Sequence, residues 1–161
     1  MPAVGLRGGA TGCGVDGQNG VLWEERRPDG GRLHQVRARR VGLATGAHER
    51  PLIFRNNDRP GVMLAGAVRT YVNRYGVTPG RRAVIFTNND SAQALANDLH
   101  RAAITLEATV DVRAGEAIVD TRASADGSLS GVVIAPLVGN GRAREVECDL
   151  LGVSGGFNPT V

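Results

Sequence analysis

Four short strings in this chain combine residue types and spacings on which chemistry could be built. Residues 12–17, GCGVDG, have the G-x-G-x-x-G spacing, in which glycines let a pyrophosphate approach the amino terminus of a helix. No strand pattern precedes Gly12 and no helix pattern follows Gly17, so the string reads as part of a poorly ordered glycine-rich leader over residues 1–20. Residues 152–156, GVSGG, have the G-x-S-x-G spacing of a turn that presents a hydrolase serine. No helix pattern, acid or histidine comes after it, and chance explains it better.

The third string, TNNDS at 87–91, follows an apolar run and precedes a helix pattern, the turn at which phosphate docks in open α/β sheets. It contains no glycine. Asn88, Asn89, Asp90 and Ser91 suit helix capping, and Asp90 would repel a pyrophosphate, so the turn is expected to hold the fold. Asp111, roughly 25 residues on, stands where an acid could bind an adenosine ribose, but without the glycine fingerprint that role has no support. The fourth string runs through Thr45, Gly46, Ala47 and His48, at the end of a short apolar stretch. A tight turn there exposes backbone N–H groups, and glycine removes the Cβ that would keep a dinucleotide or flavin away. A purely structural turn accounts for it equally well, and the residues alone leave both readings open.

Several chemistries are excluded. All 19 basic residues are arginine, which rules out Schiff-base catalysis and the lysine of a P-loop. His34, His48 and His100 are each more than ten residues apart, with no ligand set around them, so no metal site is expected. Cys13 and Cys148 form neither a disulfide framework nor a dithiol centre, which suits a reducing, cytoplasmic compartment. No apolar run approaches the ~18 residues of a membrane span. A net charge of +3 could suggest a polyanion, but the arginines are scattered and only 4% of residues are aromatic, so nucleic acid is not the expected partner.

The elements that would position these strings follow from pattern. Residues 21–27 suit a strand, Pro28, Asp29, Gly30 and Gly31 a turn, and 32–37 a returning strand, making a hairpin. A short strand over 40–44 follows. Between Pro60 and Gly76, Leu64, Ala67, Val68, Tyr71, Val72 and Tyr75 fall on one helical face, with Gly76 as the C-cap. Residues 83–86 read as a buried strand. Asp90 or Ser91 then caps a helix that buries Leu95, Ala96, Leu99 and Ala103, and a strand near 108–112 completes a βαβ unit. Strands over 129–137 and 144–148 flank a turn at Gly139-Asn140-Gly141, and a last strand covers 150–153. RRVGLATGAHERP (39–51) aligns with ECDLLGVSGGFNP (147–159), and each copy follows its own hairpin. Such a repeat implies two nucleotide-binding units.

GAHERP (46–51), NNDRPGVMLAGAVRTYVNRYGV (56–77), FTNNDSA (86–92) and DLLGVSGGFNP (149–159) together resemble the alpha subunit of heterotetrameric sarcosine oxidases, over residues 35–161. The resemblance implies an α/β flavoprotein fold with two dinucleotide-binding domains, in which one Rossmann-like βαβ unit with β-hairpin or meander insertions is set into another. It implies NAD in the first unit, FMN shared with the beta subunit, FAD in that subunit as the site of sarcosine oxidation, and a folate-binding domain further along. Products would be glycine, formaldehyde or methylene-tetrahydrofolate, and hydrogen peroxide. On this view residues 21–60 are the remnant of the first unit, whose opening strand and fingerprint are expected before Met1, and residues 61–161 are the second. Thr45, Gly46, Ala47 and His48 would line the dinucleotide cleft. No catalytic residue is assigned, and partners would be the beta and remaining subunits.

Two other functions compete. A related amino-acid dehydrogenase or opine oxidase alpha subunit shares the G-x-x-x-R-P and P-G-V-M strings. In that group a glycine-rich turn is expected after the βαβ strand, so TNNDS favours the sarcosine oxidase type. The other is a non-catalytic assembly module or inactive remnant.

Overall fold

The computed structural model describes residues 7–139 and 141–160. Its contacts divide the chain into two compact units, the first ending at Thr45 and the second running from Gly46 to Thr160.

In the first unit, β1 (Ala10–Val15), β2 (Gly20–Arg27) and β3 (Gly30–Arg37) form an antiparallel meander in that order. The hairpin expected from Pro28 and Asp29 is present, with Arg27 paired to Gly30. Residues 10–15, expected to belong to a loose leader, are instead a strand. The Asp16 carboxylate accepts hydrogen bonds from the amides of Gln18 and Gly20, closing a turn that folds β1 back onto β2. The G-x-G-x-x-G string therefore lies on a strand and its turn, with no helix after it. Trp23 and His34, opposite each other on β2 and β3, stack with ring centroids 4.0 Å apart. The strand expected over 40–44 does not form: among the described residues no strand lies beside it to complete a ladder.

The second unit has three layers. Its centre is a parallel sheet in the order β5 (Val62–Leu64), β11 (Leu150–Ser154), β6 (Arg82–Thr87), β7 (Thr105–Asp111). Successive side chains point to opposite faces. On one side Ala83, Ile85 and Leu150 meet Val68 of α1 (Ala65–Thr70) and Leu95 and Leu99 of α2 (Ala92–Arg101). On the other, Val84, Phe86, Leu151 and Val153 meet Ile118, Val132 and Ile134 of an antiparallel sheet, in the order β10 (Arg144–Glu147), β9 (Leu129–Pro136), β8 (Glu116–Ala123). Burying each such Val, Leu or Ile stabilises the fold by roughly 1.5–3 kcal/mol. This two-sided burial explains why the strands read as unbroken apolar runs.

Three details depart from the sequence pattern. The segment 60–76 opens with β5, so the helix starts only at Ala65. Residues Tyr71–Tyr75 then widen into a π-helical turn, ended as expected by Gly76 at φ +63°. Widening rotates Tyr71 and Tyr75 out of the core, and both are exposed. Strand β8 was not anticipated, because irregularities between Ile118 and Asp120 and between Arg122 and Ala123 break its alternation. Asn140, in the turn expected between β9 and β10, lies outside the described residues.

Candidate functional site

Ligands of open α/β sheets dock at the carboxyl ends of the strands, beside the strand from which the helices diverge. Here that edge carries Thr87 on β6, Ser154 on β11 and Asp111 on β7. The Thr87 hydroxyl donates to the Asn89 carbonyl at 2.8 Å and accepts from the Asn89 amide at 3.1 Å. The Asn89 side-chain amide donates to the Ser154 carbonyl at 3.2 Å, and its oxygen accepts from the Ser91 amide at 3.0 Å and from the Ser91 hydroxyl. The hydroxyls of Ser91 and the fully buried Ser154 lie 3.1 Å apart. Ser91 occupies the cap position of α2 without a side-chain cap bond, contrary to expectation, because Asn89 has already engaged it.

Across the mouth of this turn, the Arg113 guanidinium bridges Asp90 and Asp111, each at 2.7 Å. The hydrogen bonds from the Arg113 side chain hold the Asp111 carboxyl below its ordinary range. Beneath the bridge lies a cavity of about 250 Å³ whose walls include Thr87, Asn89, Gln93 and Thr109. A pyrophosphate needs free amides and room at the start of the helix. Asn89 takes up the Ser91 amide and Asp90 adds negative charge, so the residues at this turn do not fit a pyrophosphate. Asp111 is committed to Arg113 in place of a ribose.

The fourth string belongs to a different construction. Thr45 is the last residue of the first unit. Gly46, at φ +76°, begins a two-stranded antiparallel ribbon of β4 (Ala47–Glu49) and β12 (Phe157–Pro159). Ala47 pairs with Pro159 and His48 with Asn158, and the side chains of Ala47 and His48 are exposed. The ribbon closes at both ends. The Thr160 amide donates to the Gly46 carbonyl at 3.0 Å, and at the sheet end the Gly155 amide donates to the Arg50 carbonyl at 2.7 Å. The Arg50 amide donates to the Gly156 carbonyl at 2.8 Å, and the Arg50 guanidinium to the Gly155 carbonyl at 3.1 Å. A Cβ on Gly155 would sit 2.8 Å from the Arg50 carbonyl oxygen and 3.0 Å from that of Pro51, so this approach requires glycine. The two look-alike segments thus meet at their outgoing ends, while only the later one, as β11, continues back into the parallel sheet.

The Glu49 carboxylate accepts from the Gly66 amide at 2.7 Å, fixing the ribbon to the first turn of α1, where a negative charge is favoured. Sequence reading missed this role, since nothing in a strand signals a partner 17 residues away. It also missed Asp98. That carboxylate is 1% exposed and accepts from Arg69 at 2.6 Å, from Asn73 at 2.8 Å and from Arg101. Burial works to raise its pKa, and these donors outweigh burial and hold it below the ordinary value. Cys148 is buried beneath the antiparallel sheet, and desolvation pushes its thiol up to about 12. It is no nucleophile.

No protein-family profile matches the chain. Individual proteins do. The chain is 47% identical over 150 residues to the sarcosine oxidase alpha subunit of Corynebacterium sp. (strain P-1), covering 81% of the chain and 16% of that subunit. It is 43% identical over 139 residues to the sarcosine oxidase alpha subunit of Rhizobium meliloti (strain 1021), covering 81% of the chain and 14% of that subunit. Among solved structures, L-proline dehydrogenase from P. horikoshii superposes on 93% of the chain and 28% of its own length, with a TM-score of 0.60 and 26% identity. The chain spans about a sixth of the length of the curated relatives it matches. Its α/β fold is shared with L-proline dehydrogenase, and over four-fifths of its length it is homologous to one segment of the sarcosine oxidase alpha subunit.

Proposed function

We propose that this chain serves as part of the alpha subunit of a sarcosine-oxidising flavoenzyme, supplying the second Rossmann-like unit and the ribbon that joins it to the first. Residues 21–60 contribute the end of the first unit, with Thr45, Gly46, Ala47 and His48 at the edge of its dinucleotide cleft, and residues 61–161 form the second. The observation that carries this reading is the ribbon between Gly46–Arg50 and Gly155–Thr160, which lets a second unit be entered and left at one place. NAD belongs to the first unit and FMN to the boundary with a beta subunit. The β6–α2 turn, already filled by Asn89, Asp90 and Ser91, takes no dinucleotide. When bound, the cofactors supply hydride transfer, and the residues of this chain hold the geometry. The assembly works in the cytoplasm with beta and further subunits, converting sarcosine to glycine and formaldehyde or methylene-tetrahydrofolate with release of hydrogen peroxide.

A second reading, an amino-acid dehydrogenase subunit, is favoured by the proline dehydrogenase superposition, and its 26% identity is well below the 43–47% of the sarcosine oxidase subunits. Exchange of the matching segment in the Corynebacterium alpha subunit for this chain separates the two. The expected result is an assembled chimera that oxidises sarcosine and not proline. A chimera that assembles but has lost sarcosine oxidation overturns the proposal.

A further inference from the structure

We propose that the exposed π-helical turn and the residues just after it, 71–77, are a docking surface for an acidic polypeptide segment. Ordinary helical geometry would stack Tyr71 and Tyr75 above Val68, facing the core. The wider turn, closed by a hydrogen bond from the Val77 amide to the Tyr71 carbonyl at 3.0 Å, brings them to the surface instead. Tyr71, Tyr75 and Val77 are 43%, 59% and 46% exposed, three large hydrophobic side chains within seven residues. π turns recur at functional sites, and exposed tyrosine beside arginine is the composition of interface anchors. Val77 and Arg101 also border a cavity of about 390 Å³ that could seat an anchoring side chain.

Charge selects the partner. From Arg59 to Asn89 the chain contains five arginines and neither Asp nor Glu. Around the turn, Arg69 and Arg101 share the single buried carboxylate of Asp98, and Arg74 has no carboxylate within salt-bridge distance among the described residues. The surface is therefore cationic, and its complement is a segment with carboxylates flanking an apolar anchor. The aromatic geometry disfavours nucleic acid. The rings of Tyr71 and Tyr75 meet edge to face at 68°, and Arg74 lies 5.7 Å over the face of Tyr75, so they offer no pair of parallel platforms for successive bases.

The test is fluorescence anisotropy of a labelled peptide rich in Glu and Leu, titrated with the whole chain at low salt, alongside the same peptide with Gln in place of Glu and an oligothymidylate of matched charge. Saturable binding of the Glu peptide is expected, reduced about tenfold or more by Arg74→Glu and by Tyr75→Ala. Arg32→Glu, on β3, should leave it within about twofold. In the unmodified chain, a photo-crosslinker on the peptide should label residues 71–77, a readout that needs no variant to fold. The proposal is overturned by absence of saturable binding, by equal loss in the Arg32 variant, by crosslinks elsewhere, or by an oligothymidylate that binds as tightly.

Discussion

The Gly155 amide donates to the Arg50 carbonyl at 2.7 Å, joining residues 105 positions apart at the point where the two look-alike segments meet. Everything proposed for the cofactor cleft passes through this junction, because it fixes where Gly46, Ala47 and His48 lie relative to the parallel sheet of their unit.

Gly155→Ala should therefore be far more damaging than its single methyl suggests. The new Cβ would meet two backbone oxygens within about 3 Å, and overpacking of this kind costs ~1–3 kcal/mol. Gly46→Ala meets nothing within 4 Å and suffers only the left-handed backbone, about 1–2 kcal/mol. Urea unfolding of the two variants should rank them in that order. A Gly155→Ala chain as stable as the parent would show that the close approach does not exist.

Asp98 should make the second unit sensitive to acid. Its folded pKa lies below the unfolded value of ~3.9, so its contribution is complete above that value and is lost as pH falls through the folded pKa. Asp98→Ala is expected to cost about 3 kcal/mol at neutral pH, since it removes a buried carboxylate held by three donors. Asp98→Asn should flatten the loss of stability below about pH 4. Parallel pH profiles for parent and Asn variant would contradict the assignment.

The two cysteines should behave differently toward a thiol reagent. Cys13 is exposed on β1 and should react within the native protein. Cys148, buried and with its thiol raised to about 12, should react only on unfolding. Two thiols titrating together in native buffer would be inconsistent with this core.

At the β6–α2 turn, NAD should not protect Asn89 or Asp90 from hydrogen exchange, because the Ser91 amide is already bonded to the Asn89 side chain. Arg113→Ala should release Asp90 and Asp111 without creating NAD binding, since the freed charges are negative. Saturable NAD binding that depends on Asp111 would reverse this conclusion.

Much of the fold was legible because burial leaves periodic marks. The β6–α2–β7 unit shows as the apolar run at 83–86 and the helical spacing of Leu95 and Leu99, and the long strings from GAHERP to FTNNDS carry the family resemblance. The repeat between 39–51 and 147–159 picked out two segments whose later parts pair in the β4–β12 ribbon, though Val41 and Ala44 find no sheet of their own in this chain. What stayed hidden depends on partners distant in sequence. Glu49 acts on Gly66, Asn89 on Ser154, and Asp98 on Arg69, and no local spacing encodes those meetings. Strand β8 was obscured by its bulges, and β5 by the helix pattern it interrupts. The candidate site showed least, because its glycines name a turn without naming what lies across it.

Residue-resolved native hydrogen exchange of the Arg50 and Gly155 amides addresses the ribbon most directly. If the segments are paired, both amides should exchange slowly, with protection approaching that of β6 and β11, because each is bonded across the junction. Exchange at the rate of an open loop, with β6 and β11 still protected, would mean that the two segments leave the unit separately and that the shared entry and exit point does not exist.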